Sequence, residues 1–153
     1  MIAIRDPANT AGRVDALRFD EARANTTPLH QHIDDHEWGL LNEALDRAPA
    51  ADIAEWCGTF APANRGGGLP IHQIAFRHPL RQAPAGELAS YQQAASALVE
   101  RTARLGLIDV LNIKGRTALS LACSQNNERA GLELIRAGAD VNVIRKGCRH
   151  SPP

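Results

Sequence analysis

A run of metal-capable side chains, LHQHIDDHEW, is the first feature of the chain whose residue types could support chemistry. It holds His30, His32, Asp34, Asp35 and His36 within seven positions. Imidazole nitrogens and carboxylate oxygens are common ligands of Zn²⁺. We predict a short helix here, with His32 on its core-facing side and His36 in the turn that follows. Because these side chains would point in different directions, we expect no metal site.

Nucleophilic catalysis and phosphate binding have little support in the residue pattern. The three cysteines, Cys57, Cys123 and Cys148, are an odd set without metal-ligand spacing, and none has a histidine and an acid at a catalytic spacing. We expect reduced thiols, as in a cytosol-like compartment. The stretch RGGGLP has no preceding strand and no following Lys-Ser or Lys-Thr, so it predicts a tight hairpin rather than a phosphate-binding loop. We therefore predict a non-enzymatic protein without a cofactor.

Composition indicates one helical domain. The chain has 153 residues, of which 44% are hydrophobic and only 4% aromatic, so its core must be built from small and aliphatic side chains that suit close helix packing. No long apolar segment or signal-peptide core is present, so we expect no membrane contact.

Residues 1–75 carry 6 basic and 11 acidic side chains and residues 76–153 carry 11 and 6, which balance to zero overall. Since the basic residues lack interleaved aromatics, we expect no nucleic-acid binding.

A repeated pattern organises the chain. In NIKGRTALSLACSQNNERAGLELIRAGADVN, Thr117 opens a helix as its N-cap, Asn126 and Asn127 form a turn, and Gly138 ends a second helix. This unit resembles an ankyrin repeat, whose pattern is D-x-x-G-x-T-P-L-H-x-A-A, a turn, a second helix and G-A-D-V-N. The same opening recurs in TTPLH and LPIH, so three such openings begin at residues 27, 69 and 117. Their motif residues are Thr27, Pro28, His30, Gly67, Pro70, His72, Gly115, Thr117 and Gly138.

The openings are 42 and 48 residues apart, against about 33 in a plain ankyrin unit. We place the first excess after the second helix, in a lengthened hairpin finger that carries Trp56 and Phe60. The second excess falls between the helices of the second unit, in RHPLRQAPAGELAS, ahead of a helix from Tyr91 to the cap Gly106. The predicted segments are a capping segment or helix over 1–24, repeats over 25–63, 64–111 and 112–145, and a tail or the start of a further repeat over 146–153.

The resemblance implies an all-α solenoid of about three repeats with two insertions, in which the motif histidine braces neighbouring units. It also implies a protein-binding module, an adaptor, scaffold or inhibitor, that uses its concave face and finger tips. The alternative is a targeting fragment of a larger catalytic or effector protein. We expect a monomer in the cytoplasm, or in a host cytosol if the chain is an effector. The expected partner-binding residues are Trp56, Phe60, His36, Glu37, Arg116, Asn126 and Asn127.

Overall fold

The described residues form an all-α fold. The structure is a computed structural model that describes residues 17–79 and 83–142. Within these ranges there is no β-strand, and a short 3-10 helix, Ala63–Arg65, is the one helix that is not an α-helix. The α-helices are α1 (Pro28–Asp34), α2 (Trp38–Arg47), α3 (Ala50–Cys57), α4 (Pro70–Phe76), α5 (Ala85–Arg104), α6 (Ala118–Ser124) and α7 (Glu128–Arg136). The predicted all-α class is confirmed, and no described helix is long and apolar enough to cross a membrane.

The helices form two layers. Helix α4 lies between α1 and α6 in one layer, and α5 lies between α2 and α7 in the other. Each first-layer helix also contacts the second-layer helix that follows it in its own unit. The pairs α1–α2, α4–α5 and α6–α7 are therefore three stacked units, because neither helix of a short pair can bury its apolar side alone.

Local sequence determines where the first-layer helices begin. The hydroxyl oxygen of Thr117 accepts a hydrogen bond from the backbone N–H of Ser120 (3.1 Å), and Thr27 caps α1 in the same way. A proline occupies the first turn of α1 and α4, where a missing N–H costs nothing. Gly138 ends the third unit at a φ of 97°, a left-handed conformation that glycine adopts without strain.

Two loops, which we call fingers, lie at one end of the helices. Finger 1 comprises residues 58–69 and closes through a hydrogen bond from the N–H of Ala61 to the carbonyl of Gly68 (2.8 Å). Finger 2 comprises residues 105–117, and the N–H of Ile113 donates to the carbonyl of Gly67 in finger 1 (2.9 Å). Gly67 has a φ of 60°, and a Cβ there would lie 2.5 Å from Cγ2 of Ile113, so the two fingers touch only because this residue is glycine.

Both insertions differ from their predicted form. The lengthened first finger contains the helix α3, whose buried Ile53 and Cys57 join the core. Helix α5 begins at Ala85, before the predicted start at Tyr91, so part of the second insertion is helix rather than loop. Neither α3 nor the first turns of α5 were predicted, because Pro49 and Gly58 flank α3 and Pro84 precedes α5, and these residue types favour loops.

The segment before α1 follows an extended path. Residues 17–20 are not helical and a turn follows at 21–23, so the helix predicted before residue 24 is not formed there; residues 1–16 lie outside the described residues. Leu17 and Phe19 nevertheless pack against the core, and the ring of Phe19 meets that of Phe60 edge-on at 6.0 Å. Leu17 and Phe19 thus cover part of the stack.

Candidate functional site

A buried histidine joins the first unit to the second. The N–H of Thr27 donates to Nδ1 of His30 (3.2 Å), and Nε2 of the same ring lies 2.9 Å from the carbonyl oxygen of Gly68 in finger 1. This geometry requires a neutral ring with its proton on Nε2. Burial lowers the pKa of His30, which keeps the ring neutral.

His72 repeats the arrangement between the second unit and finger 2. Its Nδ1 accepts from the N–H of Leu69 (2.9 Å), and its Nε2 lies 2.8 Å from the carbonyl oxygen of Val110. Burial lowers the pKa of His72 to about 4, against a raising effect from the carbonyl of Val110. In the third unit Ser120 stands where these histidines would be, so the brace is present at two levels of the stack.

At the end of the helices opposite the fingers, a second group of buried hydrogen bonds joins the units, which the sequence did not predict. The hydroxyl of Tyr91 donates to the carbonyl of Ile74 (2.6 Å) and accepts from the side-chain amide of Asn127 (2.8 Å). Asn127 also donates to the carbonyl of Ala75 (3.0 Å) and caps α7 through the N–H of Ala130. Asn127 is therefore a buried structural residue, which corrects its expected exposure to a partner. The Asn126-Asn127 pair in the sequence does not predict this burial, since the groups that bond to the amide of Asn127 belong to another unit.

Trp56 and Phe60, the finger residues expected to form a binding hot spot, do not form an exposed pair. Phe60 is only 5% exposed and belongs to the core. Trp56 lies near the end of α3 and packs against the same core while remaining partly exposed. The expected exposure of Phe60 is wrong, because its ring is buried in the core and meets the ring of Phe19 edge-on.

The remaining expected binding residues divide between two ends of the molecule. His36 and Asn126, each with a φ of 56°, occupy the exposed turns between the helices of their units, far from the fingers along the helix axes. Glu37 lies beside His36 and is tied to His32 by a 2.9 Å contact. Arg116 is at the base of finger 2, where its N–H donates to the side chain of Asn112. These residues cannot contribute to one small contact surface.

The structure instead brings four polar side chains together where finger 1 crosses α1 and α4. Asp34 accepts hydrogen bonds at Oδ1 from Gln73 (2.8 Å) and Arg77 (3.1 Å), and its Oδ2 lies 3.6 Å from a terminal nitrogen of Arg65. We call this group the Asp34 cluster. Its carboxylate is 13% exposed, whereas the side chains of Arg65 and Arg77 are 47% and 45% exposed. Two half-exposed guanidinium groups are thus fixed around one carboxylate, which leaves a positive surface.

The spacing of these residues predicts no such cluster. The sequence pattern singles out Asp34 only as a potential metal ligand, and Arg65 and Arg77 lie 31 and 43 residues further along the chain. Their proximity depends on how finger 1 folds over α4. Gly66 allows that approach, since a Cβ there would lie 2.8 Å from Oε1 of Gln73.

A groove of mixed polarity lies beside finger 2, with Arg18, Asp109 and Asn112 among its lining residues. It has a volume of about 410 Å³ and is lined in part by Leu17 and Phe19 of the N-terminal segment and by Leu111 and Ile113 of finger 2. Leu111 and Ile113 are exposed. We call the surface that joins this groove, the two fingers and the Asp34 cluster the finger face.

The cysteines and histidines do not form a reactive or metal-binding centre in the described ranges. Cys57 is free and buried, and burial raises the pKa of its thiol to about 11, so it stays protonated at neutral pH. Cys123 is disulfide-bonded, so the prediction of three reduced thiols is wrong; an odd count allows one pair and one free thiol. No group of three His, Cys, Asp or Glu side chains suited to a metal ion occurs among residues 17–79 and 83–142.

Comparison with known proteins finds no matching family model, no matching curated protein and no matching solved structure. The geometry described above is therefore the basis for assigning a function.

Proposed function

We propose that this chain is an ankyrin-type repeat module that binds another protein through its finger face. The stacked helix pairs, the left-handed glycine that ends the third unit and the paired histidine braces support the ankyrin-type assignment. Short helical units stacked in this way offer extended surfaces for protein recognition.

The Asp34 cluster carries the functional part of the proposal. A guanidinium group has five N–H donors, and Asp34 engages only some of those on Arg65 and Arg77. The carboxylate limits the motion of both side chains, so less entropy is lost when they bind a ligand. Arginine held in this way is enriched at protein-binding hot spots. The neighbouring exposed aliphatic side chains of finger 2 supply apolar contact area. Together they suit a protein segment that carries a carboxylate beside apolar residues.

The test is chemical cross-linking in native lysate followed by quantitative mass spectrometry. Arg65→Glu with Arg77→Glu reverses the charge of the finger face, and Arg47→Glu with Arg104→Glu makes the same change on the second helix layer as a matched control. Each variant is first shown to melt like the unmodified chain. We expect proteins captured by the unmodified chain and the control to fall at least about tenfold with the first pair, a loss of more than about 1.4 kcal/mol.

Equal capture by all three proteins would remove the finger face as the binding surface. If the unmodified chain captures nothing above background, the proposal of a protein-binding module fails. Loss of the captured proteins with both variant pairs would indicate a general charge effect and would also contradict it.

A further inference from the structure

Helix α7 carries an apolar stripe on the side that faces away from the core. Ala130 and Leu134 are buried, while Leu132 and Ile135 are 53% and 43% exposed. The stripe borders a groove of about 340 Å³ between α6 and α7, lined in part by Leu119 and by the disulfide-bonded Cys123. Large side chains of this kind, placed beside an open apolar groove, mark a contact surface.

The first unit shows what such a stripe contacts. Thr27 and Thr117 open equivalent units 90 residues apart, so Asn42 and Leu45 of α2 correspond to Leu132 and Ile135 of α7. Leu45 is buried, and its carbonyl accepts from Arg101 of α5. The side-chain amide of Asn42 donates to the carbonyl of Ser90, also in α5. The equivalent positions of α2 in the first unit thus contact the neighbouring helix α5.

The third unit has no such neighbour among the described residues. In α7 the position equivalent to Asn42 is leucine instead, which makes this edge more apolar than its counterpart. The stripe therefore suits a helix that packs on it as α5 packs on α2.

The charged residues of α7 indicate which helix packs on the stripe. At 100° per residue, Glu128 and Ile135 lie on one flank of Leu132, and Arg129 and Arg136 lie on the other. A two-fold axis parallel to α7 brings each flank against the opposite flank of a second copy. Glu128 then faces Arg129 of the other chain, and Ile135 faces the aliphatic stem of Arg136. Both pairs form twice, as a two-fold interface requires.

We propose that two copies of this chain associate edge to edge through their α7 helices, about a two-fold axis parallel to the helix. Leu132 of each copy packs near the axis, and the Glu128–Arg129 pairs fix the orientation. This surface is separate from the finger face, so a dimer leaves the proposed partner-binding surface open.

The first test is sedimentation equilibrium of the full chain at concentrations up to about 0.2 mM, where a dimer with a Kd near 1 µM is almost fully formed. We expect the unmodified chain to be dimeric and Leu132→Glu to raise the Kd at least about tenfold. Leu40→Glu is the matched control, since Leu40 is 46% exposed on α2, and it should leave the Kd unchanged.

A monomer at every concentration would overturn the proposal. Hydroxyl-radical footprinting of Leu132 and Ile135 would then show whether other residues of the same chain cover the stripe or whether it is open to water; either result is incompatible with a dimer. A dimer that Leu132→Glu does not weaken uses another surface and also overturns the proposal.

The second test is a charge exchange that addresses orientation. Glu128→Arg and Arg129→Glu each place like charges opposite one another, so each variant alone should be monomeric. Mixed in equal amounts, the two chains restore both ion pairs, and a heterodimer should form. A mixture that stays monomeric while the unmodified chain dimerises would exclude the proposed orientation. Equal dimerisation of each variant alone would do the same.

Discussion

At the scale of single residues, the two motif histidines stabilise the stack because each is held neutral. Both ring nitrogens of His72 are used, one as acceptor and one as donor, by backbone groups on either side. A second proton on Nδ1 would face the N–H of Leu69 and lose that hydrogen bond. Protonation is therefore coupled to loss of the hydrogen bond at the start of α4, whereas the bond from Nε2 to Val110 in finger 2 is kept.

Stability should consequently fall in mild acid. The pKa of His72 in the folded chain is about 4, below its ordinary value of 6.5, so the unfolded chain takes up the proton first as the pH falls. The stabilisation provided by neutral His72 is complete above about pH 6.5. Between there and about pH 4 the free energy of unfolding should fall by on the order of 3 kcal/mol. Urea unfolding between pH 7.5 and about pH 4 measures this change.

His72→Gln is the informative variant. It should be less stable at pH 7 by about 1–3 kcal/mol, because the glutamine amide lies at the end of its side chain and cannot replace the Nδ1 acceptor of the buried N–H of Leu69. Its stability should also vary less with pH, since glutamine does not titrate. His36→Asn is the control, since His36 lies in an exposed turn with a φ that asparagine tolerates. If both variants keep the full pH dependence, His72 is not its source.

At the scale of helices, the same residue type has opposite roles inside a helix and just after it. Gly39 is in the first turns of α2, where an added Cβ would meet no atom within 4 Å. Gly138 follows α7 at a φ of 97°, where an added Cβ also has space but the backbone conformation is unfavourable for other residues.

Alanine should therefore change stability in opposite directions at these two positions. Gly39→Ala should raise the free energy of unfolding by about 0.5–1 kcal/mol, since glycine is a poor helix former. Gly138→Ala should lower it by about 1 kcal/mol or more because of strain. Thermal and urea unfolding of the two variants provide the comparison. A stabilised Gly138→Ala would show that α7 does not end as described.

At the scale of the whole molecule, α4 is the centre of the fold. It contacts α1, α3, α5, α6 and α7, and its residues Pro70 to Ala75 are all buried. The links between units pass through α4 and through its partner α5, which contacts α2 and α7. The three units should therefore unfold together rather than one by one, with α4 the last part to open.

Ile74→Ala tests this cooperativity. Removing a fully buried side chain should cost about 2–5 kcal/mol. Hydrogen exchange should then accelerate in α1 and α6 as well as in α4, because all three share the same opening. Leu40→Ala, at an exposed position of α2, should change exchange little. Acceleration confined to α4 would mean that the units open independently.

The sequence by itself determined the helical class, the starts of the three first-layer helices and the glycine that ends the third unit. These depend on residues close in the chain, such as Thr27 with Pro28, and such signals act within a few residues. The ankyrin-type assignment and the protein-binding role rest on the same local patterns and remain proposals.

Only the tertiary structure determined the conformation of the two insertions and the proximity of the candidate-site residues. Whether the segment around Trp56 forms a finger or a helix depends on the surface that buries Ile53 and Cys57. The proximity of Asp34 to Arg77, and of Asn127 to Tyr91, depends on contacts between separate units. No spacing along the chain encodes such contacts, because they exist only once the helices have stacked.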